Sequence, residues 1–127
     1  MPTTTDGLEL KFVKSASITV VPNKLTPKQS FNLQIGVKNI GRKHEESDIS
    51  IKVNTLDTDI SKMHLQLSCE RDKLGSFICT IQDLRSRNGT FLNGHRIDDN
   101  IIYLTDGDRI KIGNTELLYI PTYLEIE

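Results

Sequence analysis

The chain has 127 residues, 16 of them basic and 17 acidic, so it is sized for one domain and carries a formal charge of −1. Hydrophobic residues make up 36% and there is no Trp, a profile that fits a globular fold with a modest core and not a disordered tail. A charge so near neutrality excludes the broad cationic field on which nucleic-acid and anionic-membrane binding depend, so any anion site has to be local.

In chain order, residues 1–7 read as a polar, disordered tail without the basic and apolar regions of a secretory leader. Leu8 to Val13 alternates like a strand, and Ile18-Thr19-Val20-Val21 forms a second candidate that ends at Pro22. Residues 8–30 are therefore expected to add extra edge strands. Strict two-residue alternation then recurs at Phe31/Leu33/Ile35, Ile49/Ile51/Val53, Met63/Leu65/Leu67/Cys69, Phe77/Cys79/Ile81 and Ile110/Ile112. That period places every second side chain on one face of a half-buried strand, and no stretch keeps apolar residues at helical spacing.

Between the runs stand Asn88-Gly89, Asn93-Gly94, Asp106-Gly107 and Gly113-Asn114, pairs that supply the positive φ of tight turns. Many short strands punctuated in this way predict an all-β sandwich or barrel with loops gathered at its ends. The longest apolar runs, such as Ile101 to Leu104, are far too short to span a bilayer as a helix. Cys69 and Cys79 fall in alternating segments and are expected to be reduced, buried core residues. A cross-strand disulfide would need an oxidising compartment, and with three scattered histidines there is no metal-ligand cluster.

Three loops between strands concentrate hydrogen-bond donors: Gly41-Arg42-Lys43, Ser61-Lys62-Met63-His64, and Arg85-Ser86-Arg87-Asn88-Gly89-Thr90. If they meet at one end of a sandwich, guanidinium, ammonium, hydroxyl and amide groups converge on one anion. A phosphate, with several acceptor oxygens and nearly two charges at neutral pH, suits such a cradle.

In order and spacing, Gly41-Arg42, Asp48-Ile49, Ser61-x-x-His64, Asn88-Gly89-Thr90-Phe91-Leu92-Asn93-Gly94 and the closing 104–113 segment resemble the forkhead-associated (FHA) domains. The likeness covers residues 31–120, so 15–127 is expected to be the domain and 1–14 a tail with a possible edge strand. The resemblance implies a sandwich of about eleven mostly antiparallel strands whose loops at one end grip phosphothreonine.

Position by position, it implies phosphate contacts from Arg42, Ser61 and Lys62, with Arg87 and Ser86 as further candidates. Asn88 would pair with the peptide backbone, and Gly41, His64, Gly89, Thr90, Asn93 and Gly94 would be architectural. A small apolar recess would take the threonine γ-methyl. Asp57 and Asp59, in the loop before Ser61, would favour basic residues after the phosphothreonine. The Ser61/His64 pair has no third member or nucleophile elbow, so no enzyme and no cofactor is expected. Asn88-Gly89-Thr90 also matches a glycosylation acceptor, a match of no weight without a secretory signal. The expected partner is a protein phosphorylated on threonine by a Ser/Thr kinase. Neither nucleic acid nor membrane is expected as a ligand, and the module is expected to be monomeric and cytoplasmic, or nuclear in a eukaryote. The competing expectation is a docking or oligomerisation module on the same fold that ignores phosphorylation.

Overall fold

The computed structural model describes residues 12–44 and 50–124. They form eleven strands and no helix: β1 (Val13–Val20), β2 (Gln29–Asn32), β3 (Gly36–Arg42), β4 (Ile51–Val53), β5 (Leu65–Arg71), β6 (Phe77–Asp83), β7 (Thr90–Leu92), β8 (His95–Arg96), β9 (Ile102–Tyr103), β10 (Arg109–Ile112) and β11 (Thr115–Tyr123).

Two sheets make the sandwich. One has the order β2-β1-β11-β10-β7-β8, the other β4-β3-β5-β6-β9. Every pairing is antiparallel except β3 with β4. The predicted alternation is what places the core. Leu65, Leu67 and Cys69 of β5 lie opposite Asp83, Ile81 and Cys79 of β6, while Gln66 and Ser68 face outward. Ile110 and Ile112 of β10 point inward between exposed Arg109 and Lys111. Ile18, Val20, Leu117 and Tyr119 of the first sheet meet Ile40, Val53, Leu65, Leu67 and Ile81 of the second in one buried cluster.

The structure departs from the sequence expectations in three places. The run Phe31/Leu33/Ile35 is not one strand: β2 stops at Asn32, Leu33 is buried beyond it, and Ile35 is 52% exposed at the bend into β3. The Ile18 segment is not an edge strand, because β1 is flanked by β2 and by the long β11, leaving β2 at the edge. Met63 stands outside β5, exposed in the loop before it. The expected boundary at residue 15 falls inside β1. Residues 1–7, most of Leu8–Val13, and the Asp48-Ile49 element lie outside the described residues.

Candidate functional site

At one end of the sandwich three connections come together: the start of the β3–β4 loop after Arg42, the β4–β5 loop (54–64) and the β6–β7 loop (84–89). Backbone hydrogen bonds draw them close. The Arg42 N–H donates to the Ser61 carbonyl at 3.0 Å, the His64 N–H to the Ile40 carbonyl at 2.9 Å, and the Leu84 N–H to the His64 carbonyl at 2.9 Å. Gly41 permits this approach, since a Cβ there would overlap the Lys62 carbonyl. Arg42, the last residue of β3, thus lies beside the loops that carry Ser61 and Asn88.

His64 is the brace. Its ring is fully buried, with Nδ1 accepting the Ser61 N–H at 3.0 Å and Nε2 bonded to the Gly89 carbonyl at 2.8 Å. A carbonyl can only accept, so Nε2 carries the proton and the ring is neutral. Burial holds its pKa below the usual 6.5, against the pull of the Gly89 carbonyl and of the Asp83 and Asp57 charges.

Hydrogen-bond bookkeeping shows which donors remain for a ligand. Ser61 Oγ accepts the Arg87 N–H at 3.1 Å, which orients a lone pair inward and leaves the hydroxyl proton to donate outward. Arg42 spends Nε on the Ile60 carbonyl at 3.0 Å and keeps both terminal nitrogens. Exposed Lys62 adds a flexible ammonium beside them. Arg87 donates one terminal nitrogen to the Thr58 carbonyl at 3.1 Å, and Asn88 donates its amide to the Asp59 carbonyl at 3.1 Å while its own amide oxygen stays open.

Ser86 departs from its expected role. Its hydroxyl donates to Asp83 at 2.6 Å and accepts the Gly89 N–H at 2.9 Å, so its one proton is committed inside the loop. Asp83, which sequence reasoning passed over, is the hub of that loop. Its carboxylate also takes the Ser86 N–H at 3.0 Å and the buried Thr90 hydroxyl at 2.7 Å. Burial raises its pKa, but these donors, with a smaller pull from His64, outweigh burial and hold the group below 3.8. The i, i+3 spacing of Asp83 and Ser86 was the available signal, since short polar side chains bind backbone N–H groups at that range.

Asp57 is a second departure. It is 1% exposed and faces the interior, where it accepts from the Asn114 N–H and the Thr115 hydroxyl, both at 2.8 Å, and from the Asp59 N–H at 3.1 Å. Burial acts to raise its pKa, and those hydrogen bonds overcome it. Asp57 therefore ties the β4–β5 loop to the β10–β11 turn and has no carboxylate oxygen to offer a ligand. Only Asp59 of the pair is exposed, with one oxygen 2.8 Å from the Asn114 amide nitrogen. Asn93 and Gly94, both at positive φ (50° and 87°), make the tight turn between β7 and β8. Among the described residues no buried side-chain polar atom lacks a partner, no group of three or more His, Cys, Asp or Glu could hold a metal ion, and no helix is long and apolar enough to cross a membrane.

The family model of the FHA domain matches residues 38–113. An FHA domain-containing protein of Arabidopsis thaliana is 39% identical over 75 residues, 58% of this chain, and the chain spans 17% of that relative's length. Among solved structures, an FHA domain from a structural and functional analysis of phosphothreonine-dependent FHA domain interactions superposes with a TM-score of 0.66 at 25% identity, covering 84% of this chain and 96% of that one. The FHA domain of FhaA, complexed with the intracellular domain of Rv3910, gives 0.64 at 26% identity over 83% and 99% of the two chains. The yeast Dun1 FHA domain, bound to a doubly phosphorylated (pT) peptide, shares the fold at 0.69 with 20% identity over 100% and 88%.

Proposed function

From the premise that this chain belongs to the FHA domain family, we propose that it is a non-catalytic module, spanning at least Val13–Tyr123, that binds a phosphothreonine-bearing segment of a partner protein. The observation that carries this reading is the set of unspent donors at the loop end: the Ser61 hydroxyl proton, the two terminal nitrogens of Arg42 and the Lys62 ammonium. Arg42 and Ser61 are each held by bonds made through other atoms, so binding a phosphate there orders little that is not already ordered.

In this reading the phosphate sits between Arg42 and Ser61, with the guanidinium pairing two oxygens and the hydroxyl donating to a third. Lys62 adds charge from the rim. Arg87 and Asn88 donate to the β4–β5 loop in the free protein, and both are positioned to turn toward the ligand, Arg87 to an acidic group and Asn88 to the peptide backbone. A recess for the γ-methyl gives preference for threonine over serine. Specificity beyond the phosphate rests on Asp59, without Asp57, and on the arginines of the β6–β7 loop. The phosphate implies a Ser/Thr kinase acting on the partner.

The expectation that Ser61 and His64 form no catalytic pair is supported by the ring's own bonds. Both ring nitrogens are engaged, one by a backbone N–H and the other by a carbonyl, so neither can take a proton from Ser61 Oγ. Titration calorimetry of one threonine-phosphorylated peptide against its unmodified twin tests the proposal. Binding of the phosphorylated form alone is expected, and equal affinity for both would favour phosphorylation-independent docking.

A further inference from the structure

Cys69 and Cys79 are directly opposed residues on β5 and β6, 3% and 1% exposed, and their Sγ atoms are 2.7 Å apart. Both are free thiols. They lie mid-strand on the core face, away from the loops that carry the phosphate donors. We propose that they form an oxidisable dithiol that hydroperoxides convert to a disulfide stapling β5 to β6.

Directly opposed residues of an antiparallel pair have Cα atoms about 4.5–5.5 Å apart. That lies within the roughly 4.4–6.8 Å spanned by disulfides, so the bond forms without moving either strand. The two sulfurs already share a core face, which fixes the direction of both Cβ vectors. Burial excludes bulky disulfide reagents but not hydrogen peroxide, which is close to water in size.

Chemistry assigns different roles to the two sulfurs. Either thiol can donate across the 2.7 Å contact; with Cys69 as the donor, that bond and one from the Tyr119 hydroxyl outweigh burial and make Cys79 the more acidic. The same bond and burial push Cys69 the other way. Cys79 thiolate attacks one peroxide oxygen, the O–O bond breaks, and hydroxide departs to leave a sulfenic acid on Cys79. The Cys69 sulfur then attacks the Cys79 sulfur, the S–S bond forms, and the sulfenic oxygen departs as the second hydroxide. The two thiol protons convert both hydroxides to water, so two thiols are oxidised by one peroxide reduced to two waters.

The test exposes the full chain to hydrogen peroxide, alkylates remaining thiols under denaturing conditions, and digests with trypsin. Cys69 lies in peptide 63–71 and Cys79 in peptide 74–85. A cross-linked pair of these two peptides, lost on reduction, is expected, together with a rise in Tm of roughly 5–15 °C over the reduced chain. Two alkylated thiols after oxidation, a sulfinic acid on one cysteine without a cross-link, or linkage between separate chains would each overturn the proposal. Cys79→Ser should show no peroxide-dependent Tm shift, and an equal shift in that variant would also sink it. Should the serine impair folding, peptide mapping of the unaltered chain still decides.

Discussion

Nε2 of His64 lies 2.8 Å from the carbonyl oxygen of Gly89, spanning the interior between the β4–β5 and β6–β7 loops. Because Nδ1 of the same ring accepts the Ser61 N–H, the two loops that carry Ser61 and Asn88 are held at a fixed spacing by one neutral imidazole. The site's geometry therefore depends on a protonation state.

Acid should loosen the domain first through this ring. Burial lowers the folded pKa of His64 below the unfolded value of 6.5, so the unfolded chain binds the extra proton more readily. Stability from this group is complete above about pH 6.5 and is lost as pH falls from there through the folded pKa. Asp57 and Asp83, with folded values below 3.8, contribute stability above that value and lose it only in stronger acid. Urea melts between pH 8 and 5 are expected to show a declining midpoint. The same series on His64→Asn, less stable throughout, should be flat over that range; a parallel decline would assign the effect elsewhere.

Arg42→Ala is expected to abolish phosphopeptide binding while costing about 1 kcal/mol of stability, the worth of the single bond to the Ile60 carbonyl. Arg42→Lys should recover little, since a point charge lacks the two-pronged geometry. Calorimetry paired with thermal melts reads both quantities. Undiminished affinity in the alanine variant would displace the phosphate from this corner.

The two serines should separate cleanly. Ser61→Ala removes the hydroxyl proton that the proposal assigns to the phosphate and should weaken binding roughly tenfold, the effect of a lost bond to a charged group of about 1.5 kcal/mol. Ser86→Ala instead leaves a part-buried Asp83 oxygen and the Gly89 N–H short of a partner, costing about 1–3 kcal/mol of stability. Its loss of affinity should be smaller than that of Ser61→Ala. A reversed order would return Ser86 to the phosphate.

Asp57→Asn and Asp59→Asn should diverge in the same way. The first disturbs a carboxylate that four donors share and is expected to lower stability by about 1–3 kcal/mol without altering peptide preference. The second should leave the melt nearly unchanged and reduce any selection for Lys or Arg after the phosphothreonine. Peptide-array profiles of the two variants check this, and an unchanged profile for Asp59→Asn would remove that residue from specificity.

Much of this was legible because it is local. Alternation at Leu65/Leu67/Cys69 and at Ile110/Ile112 marks the core faces, and the loop motifs mark the end at which the β4–β5 and β6–β7 loops meet. What escaped depends on which partner each side chain finds, near or far along the chain. Asp57 looks like an exposed turn residue until Asn114 and Thr115 arrive from 57 and 58 positions further along the chain. Ser86 looks like a free hydroxyl until Asp83 folds back upon it. The inner place of β1 is set by β11, and no periodicity within residues 13–20 encodes which strand will lie alongside.

That last pairing sets a schedule for biosynthesis. Val13 faces Tyr123 and Val20 faces Leu117, so during synthesis β1 must wait for β11, which follows it at the far side of the domain sequence. Until then the inward-facing Ala16, Ile18 and Val20 have no lasting cover. Contacts this remote in sequence form slowly, and a nascent chain that carries them unsatisfied is a natural client for chaperones. The sandwich therefore closes only once β11 has emerged, however early β1 is synthesised.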